Sequence, residues 1–336
     1  MYTFALIGCG RIARRHAENI RKVGKLQAVC DTDPQKAGEF ARLYGANAYS
    51  SLEDLLSHET TIDIVSICTP NGLHAEHSIA ALRAGRHVLC EKPLCLSTAS
   101  ARQMIDAAAA ADCKLYVVKQ NRYNPAVRYV KELLEQNGLG TILSFEVNCF
   151  WNRPQAYYPG DWRGTRDLDG GLLFTQFSHF IDILYWFLGD VAAATGYRKN
   201  FHLRQHLQFE DTGVALLHLE NGAIGTLHYT INAFEKNLEG SLTLIGEKGS
   251  VKIGGQYLNT LEWDTTGRGG SILEGQPSKA ANDYGFYTGS MSNHDKVYED
   301  LVRALNHHDH NLLEATEGAK TVEIIEKIYG ATLECS

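Results

Sequence analysis

Three stretches of this 336-residue chain combine residue types that can do chemistry. In Glu91-Lys92-Pro93 a lysine stands just beyond the end of the apolar run His87–Cys90, with one residue between. A charge at the end of a buried strand must be partnered or put to use, and an ammonium there can stabilise negative charge on a substrate oxygen. The alternative is a lysine in a solvent-facing loop. The Lys92–Pro93 bond is a candidate for the cis form. His179 and Asp182 lie three residues apart in an apolar, helix-compatible stretch and so share a helix face. A carboxylate in that position sets the tautomer of the imidazole and raises its basicity, as a general base requires; the other reading is a hydrogen-bonded core histidine on an aromatic-rich helix. The third stretch, Trp151 to Arg166, holds three arginines, two tryptophans and two tyrosines. Guanidinium forks grip carboxylates or phosphates bidentately and stack on rings, although such loops also pack on sheets or at subunit contacts.

The element that must position these groups opens the chain. Phe4–Ile7 is a short apolar run, the pattern of a strand buried on both faces. Gly8-Cys9-Gly10-Arg11-Ile12-Ala13 follows at once, and a helix-compatible stretch runs on to about Arg21. In such a G-x-G-x-x-A turn the first glycine permits the tight bend, the second lets the backbone approach a pyrophosphate, and the alanine lets the helix pack closely. The helix start then offers free N–H groups and partial positive charge. Leu26–Cys30 reads as a second buried strand ending in Asp31, an acid placed to accept from the adenosine ribose hydroxyls. Strand, turn, helix, strand and acid together point to a dinucleotide. Asp31 and Asp33 would repel a 2′-phosphate, so NAD is expected rather than NADP.

Strand and helix patterns alternate to about Gln120, with strong strands at Asp63–Cys68, His87–Cys90 and Leu115–Val118. They predict an α/β domain over residues 1–120, a doubly wound, parallel sheet with right-handed crossovers. Residues 121–336 read as an α+β domain for substrate binding and oligomerisation. Its strands, from Ile142–Phe150 to Leu258–Trp263, are joined by hairpin signals such as Asn221-Gly222, which predicts an open, mostly antiparallel sheet. Helices at Gly171–Leu188, Met291–Asn306 and Glu314–Tyr329 are expected to cover one face, and Thr266–Gly289 reads as loop. The net charge of −7 and the 21% charged and 44% hydrophobic residues argue against nucleic acid as a partner. The first strand begins almost at the opening Met, so a signal peptide is not expected. Leu172–Leu188 contains Gln176, His179 and Asp182, so a membrane span is not expected. Cys30, Cys68 and Cys90 read as small buried hydrophobes of a reducing cytoplasm, and the isolated pair Cys90 and Cys95 does not suggest zinc; no metal is expected.

Taken together, these segments resemble the glucose–fructose oxidoreductase/inositol dehydrogenase family (Gfo/Idh/MocA) over essentially the whole chain. The resemblance rests on the Gly8–Ala13 turn, Thr69-Pro70-Asn71 with His74, Glu91-Lys92-Pro93, and Gly170-Gly171 followed by His179 and Asp182. It implies that Lys92 and His179 are the catalytic pair, in either division of roles, with Asp182 shaping the site. It implies NAD contacts at Gly8, Gly10, Arg11, Ile12, Asp31, Thr69, Pro70, Asn71, His74, Glu91, Lys92 and Gln120. One departure stands out: many members carry Asp and Gly four and two residues before the histidine, where this chain has Thr175 and Phe177, which speaks against a polyol-type network. A narrower likeness lies in Val118–Arg122, Phe150–Tyr158, Trp162–Thr165 and Asn237–Ser241. These look like the UDP-N-acetylglucosaminuronate 3-dehydrogenases of bacterial surface-polysaccharide pathways. That implies a UDP-sugar acid as substrate, held by Lys92, Arg153, Tyr157, Arg163, Thr175, Gln176, His179 and Asn237. The second sheet has two faces to cover and helices for one, so a homodimer or homotetramer is expected. An inositol or simple-sugar dehydrogenase, and a non-catalytic NAD-dependent sensor, are the alternatives.

Overall fold

The computed structural model describes residues 1–268, 280–285, 287–307 and 313–335. The chain forms two compact units, Met1–Lys119 with His294–Val322, and Gln120–Asn293 with Glu323–Ser336. In the first, strands β1 (Tyr2–Ile7), β2 (Gly24–Cys30), β3 (Asn47–Tyr49), β4 (Ile64–Ile67), β5 (His87–Cys90) and β6 (Leu115–Val117) form one sheet in the order β3-β2-β1-β4-β5-β6. Every pairing is parallel, and β4 is buried along its whole length. Helices α1 (Ala13–Val23), α2 (Pro34–Tyr44), α3 (Leu52–His58), α4 (His74–Arg83) and α5 (Thr98–Ala110) make the crossovers. The doubly wound Rossmann sheet expected from the alternating pattern is present. The strand order reverses between β1 and β4, where ligands of such sheets bind. Their carboxyl ends carry the Gly8 turn and Thr69, with Asp31 and Glu91 on the neighbours.

The second unit contains α6 (Pro125–Glu135), β7 (Ile142–Phe150), α7 (Leu172–Thr175), α8 (Ser178–Leu188), β8 (Val191–Lys199), β9 (Thr212–Leu219), β10 (Ile224–Thr230), β11 (Glu239–Gly246), β12 (Ser250–Gly254) and β13 (Thr260–Asp264). A short pair, β14 (Ala281–Asp283) and β15 (Thr288–Met291), stands apart from the main sheet. The main sheet runs β13-β12-β11-β7-β10-β9-β8-β16, with β16 at Thr332–Glu334. It is mixed: β7–β10 and β8–β16 pair in parallel, and the other five pairings are antiparallel. Alternation is clean in β9, where Ala215, Leu217 and Leu219 are buried and Val214, Leu216 and His218 are exposed.

Several expectations need correction. The boundary at 120 leaves out a return: α9 (His294–His307) packs on α1 in the first unit rather than covering the second sheet. Polar anchoring holds it there, since His294 and Tyr298 reach Glu91, His16 and Ser66. Next to it, Leu313 O accepts from the Val117 N–H at the sheet's edge, ahead of the last helix, α10 (Ala315–Ala331). Gly171–Leu188 is two helices, interrupted at Gln176-Phe177. Strand β8, rich in Ala and Gly, carries little strand propensity and goes unread. Within Thr266–Gly289, β14 and the start of β15 are strands, while residues 269–279 and 286 lie outside the described residues.

The start of the α7–α8 run is fixed from the last helix. Gly171 has φ +127, and a Cβ there would sit 2.4 Å from the Tyr329 hydroxyl. That hydroxyl accepts from the Leu173 N–H (3.0 Å) and donates to Glu210 Oε1 (2.7 Å). Glu210 is 1% exposed, and its Oε2 has no partner among the described residues. Burial raises its pKa from 4.5 to about 7. A folded-state pKa above the ordinary one means that the native state holds the extra proton. Stability is therefore full below about pH 4.5 and falls as pH rises through about 7. Glu210→Gln, neutral at every pH, should raise stability at pH 8 by up to about 3 kcal/mol and leave it nearly unchanged at pH 4. Urea melts at the two pH values check this.

Candidate active site

In the first unit, Gly8 turns with φ +92, and a Cβ there would lie 2.7 Å from the Cys68 carbonyl oxygen; only glycine fits. Around Gly10 a Cβ would meet nothing within 4 Å. Helix α1 begins without a side-chain cap, whereas α2, α3 and α5 are capped by Asp33, Ser51 and Ser97. Asp31 bridges the turn, its Oδ2 accepting from the Cys9 N–H and its Oδ1 from the Asp33 N–H, both at 2.8 Å. An uncapped helix start, clear space over Gly10 and a carboxylate beside the turn fit a pyrophosphate and the ribose next to it. Asp33 is the cap of α2, accepting from the Gln35 and Lys36 N–H groups.

Beyond β4 and β5, His74 clamps two loops. Its Nδ1 lies 2.7 Å from the Pro93 carbonyl oxygen and its Nε2 2.9 Å from that of Thr69. Burial lowers its pKa, against the pull of those two carbonyls. Thr69 Oγ1 is 3.0 Å from His77 Nδ1, Pro70 precedes the single turn Asn71–Leu73, and Asn71 is buried. The Lys92–Pro93 peptide is cis. Lys92 is partly exposed and Glu91 buried.

In the second unit, His179 and Asp182 sit on α8, both buried. His179 Nε2 lies 3.2 Å from the Gln120 amide nitrogen and 3.3 Å from Ser290 Oγ. The amide nitrogen is a donor only, so Nε2 is the acceptor nitrogen of the ring. Gln120, expected at the cofactor, thus has its amide on His179 and, at 3.0 Å, on Ser290. Asp182 is held bidentately by Arg122, with Nε to Oδ2 and Nη2 to Oδ1 both at 2.8 Å, and Arg122 also lies over the Trp186 ring. Arg122 is fully buried and Asp182 nearly so, a pairing that leaves neither charge uncompensated. The carboxamide of Asn121, the residue before Arg122, is buried with neither atom bonded among the described residues.

The aromatic loop's arginines have separate fates. Arg163 pairs with Asp161, and Arg166 with Glu334. Arg153 is 3% exposed. It donates to Gln176 Oε1 (2.7 Å), the Asn152 carbonyl (2.7 Å) and Asn237 Oδ1 (3.2 Å), and to no carboxylate among the described residues. Trp151, Tyr157 and Tyr287 ring its guanidinium. Gln176 donates in turn to the Tyr157 hydroxyl (3.0 Å), and Asn237 to that of Tyr257 (2.8 Å). Thr175 is buried beside Gln176. Arg153, Tyr157, Gln176 and Asn237 are one cluster; Arg163 is turned to its own acid, over Trp162 and Tyr157. Sequence reasoning missed Arg122, Ser290, Tyr257 and Tyr287 as members of these clusters. Arg122 follows Gln120 in one turn and could have been taken with it; nothing local marks the others.

Residues 2–119 match the oxidoreductase family with NAD-binding Rossmann fold, and residues 127–252 match the Gfo/Idh/MocA C-terminal domain. The WlbA dehydrogenase from Chromobacterium violaceum, solved with NADH and UDP-GlcNAcA, is 34% identical. The likeness covers 98% of this chain and 93% of that one, with a TM-score of 0.89. The chain belongs to the Gfo/Idh/MocA oxidoreductase family. WlbA from Bordetella pertussis, solved with the same two ligands, is 33% identical over 98% and 96% of the chains, with a TM-score of 0.86. Levoglucosan dehydrogenase from Pseudarthrobacter phenanthrenivorans is 28% identical over 69% of this chain and 64% of that enzyme, just under two thirds of its length. Like the family it belongs to, the chain takes NAD as its cofactor, in the Rossmann domain. Among the described residues no helix is long and apolar enough to cross a membrane.

The two glycines of this Gfo/Idh/MocA turn should respond differently to a methyl group. Gly8→Ala, strained and clashing, should lose more than about 1 kcal/mol of stability. Gly10→Ala should melt like the wild type yet bind NAD at least ~10-fold more weakly, because its methyl occupies the pyrophosphate's approach. Thermal melts and NADH fluorescence titration separate the two effects.

Proposed function

We propose that the chain oxidises the C3 hydroxyl of UDP-N-acetylglucosaminuronate to the 3-keto sugar, as an NAD-dependent dehydrogenase of surface-polysaccharide synthesis in the cytoplasm. The observation that carries this is Arg153, a buried guanidinium ringed by aromatic side chains with no carboxylate partner among the described residues. A buried cation without an acid is costly unless a ligand supplies the charge, and a sugar acid does. The likeness to WlbA proteins solved with UDP-GlcNAcA supports the same substrate. The unbonded carboxamide of Asn121 and the Oε1 of Gln120 add capacity for a polar sugar.

NAD, when bound over Gly10 and Asp31, supplies the hydride acceptor. His179 Nε2, an acceptor nitrogen facing the Gln120 amide, takes the hydroxyl proton. Asp182, its charge matched by Arg122, keeps that end of α8 rigid. Lys92 hydrogen-bonds the same substrate oxygen and stabilises its developing charge. Arg153 holds the carboxylate, steadied by Gln176 and Asn237, and Thr175 contributes a hydroxyl beside it. A screen of UDP-sugar acids, neutral UDP-sugars, levoglucosan-type sugars and inositols for NADH formation tests the substrate. Turnover confined to free sugars or polyols would favour a simple-sugar dehydrogenase, the reading that the levoglucosan dehydrogenase relative supports. With the acid as substrate, Lys92→Ala and His179→Ala should each lower kcat by about 10²–10⁴-fold while leaving NAD affinity intact; near-native rates in both would overturn the assignment.

The outer face of the eight-stranded sheet belongs in the same proposal. Register places Tyr197, Val214, Leu216, Ile224, Ile245 and Trp263 on one side of it. Tyr197, Ile224 and Trp263 are each about 60% exposed or more. A flat apolar sheet face is best covered by another sheet, and a second copy of this chain offers the matching surface. Leu216→Glu with Ile224→Lys should convert a dimer or tetramer to smaller species in light scattering; a wild type already monomeric at micromolar concentration would refute it.

A further inference from the structure

A buried polar network in the first unit lies outside the roles assigned above. His16 stands in the second turn of α1, Glu91 at the end of β5, and His294 at the start of α9. Both histidines are at most 1% exposed, and Glu91 is 7% exposed. Glu91 Oε1 accepts from His16 Nε2 at 2.8 Å and lies 3.4 Å from His294 Nε2. Its other oxygen, Oε2, accepts the main-chain N–H of Lys92 at 3.0 Å. His16 is steadied in turn: its Nδ1 lies 2.8 Å from the Tyr298 hydroxyl, which is 2.9 Å from Ser66 Oγ on β4. The rings of His16 and His294 meet edge to face, and His16 packs on Tyr298 in the same way. Burial alone would raise Glu91, but the two imidazoles outweigh it and hold the carboxylate well below its usual range.

The consequence is geometric. One carboxylate oxygen is tied to α1 and α9, and the other to the peptide that launches the Lys92 side chain. We propose that His16, acting through Glu91, is a positioning residue for Lys92, a role that rests on the reading of Lys92 as catalytic. Without His16, Glu91 is a buried carboxylate left with a longer bond to His294, and it must turn or take up a proton. Either change releases the Lys92 N–H. His16 also lies one turn beyond the Gly8–Ile12 bend on the same helix, so the phosphate turn and Lys92 are braced by one side chain. The three ligand atoms lie within 4.8 Å of one another, a spacing that also suits a metal. The 2.8 Å separation of His16 Nε2 and Glu91 Oε1 is that of a direct N–H···O hydrogen bond.

The test uses the full chain with NAD and UDP-N-acetylglucosaminuronate. His16→Phe, which keeps the ring and loses both nitrogens, should lower kcat on the order of 10²-fold, the cost of an ångström-scale misplacement. NAD affinity and the KM of the sugar should stay within about 3-fold, because binding is not what is lost. His16→Gln, which restores a donor toward Glu91, should recover most of the rate. A kcat within about 3-fold of wild type for His16→Phe, while Lys92→Ala is inactive, overturns the positioning role alone. A fully active Lys92→Ala overturns the catalytic reading beneath it. Should His16→Phe fail to fold, Tyr298→Phe removes only the hydroxyl behind His16 and should still lower kcat several-fold; an unchanged kcat there counts against the proposal. Loss of activity on chelation, restored by zinc, would make the cluster a metal site and refute the proton network.

Discussion

Buried charge has to be matched, and the placement of every polar side chain of interest here follows from that constraint. A carboxylate in the interior survives as an anion only where donors or cations surround it. Glu91 meets the constraint with two imidazoles and a main-chain N–H, and Asp182 with the fork of Arg122. Glu210 has the Tyr329 hydroxyl on one oxygen and nothing on the other among the described residues, and it is driven toward the neutral form. Arg153 inverts the case: it is the buried cation whose partners are amides, a carbonyl and aromatic faces. That asymmetry separates Arg153 from the groups whose charge is matched within the fold.

The same constraint explains how the fold braces its functional residues. A parallel sheet with helices on both faces has dry strand interiors and wet carboxyl ends, so polar groups collect where the strands stop. Asp31, Thr69 and Lys92 lie within two residues of strand ends, and each is tied to its neighbours through main-chain or side-chain hydrogen bonds at Cys9, His77 and Glu91. In the second unit, the α7–α8 run that leads to His179 begins at a glycine pressed against Tyr329, and Asp182 on α8 is locked by Arg122. Helix α8 carries His179, while Arg153 lies in a loop and is held there by Gln176 and Asn237.

Much of this was legible in the chain as a string of letters, and the failures are instructive. Local signals read well: the Gly8–Ala13 turn and the strands at Ile64–Ile67 and His87–Cys90 depend on near neighbours. Strand β8 was invisible because alanine and glycine do not announce a strand. The return of α9 to the first unit was invisible because its anchors, His294 and Tyr298, bond residues some two hundred positions away or more. Spacing alone makes Asp182 the companion of His179, while its bidentate partner, Arg122, lies sixty residues upstream.

The sequence by itself determined the Rossmann domain, its NAD cofactor and the family. Those rest on backbone geometry that only particular residues permit, above all a glycine at φ +92 packed against a carbonyl oxygen. Tertiary structure alone decided which arginine of the aromatic loop is uncommitted. Arg153, Arg163 and Arg166 are equivalent by composition, and they differ only in whether the fold brings an acid to them: Asp161 to one, Glu334 to another, none among the described residues to the third. It likewise decided that Glu91 faces two histidines from opposite ends of the chain. Charge compensation acts through space over a few ångströms, and sequence separation carries no information about it.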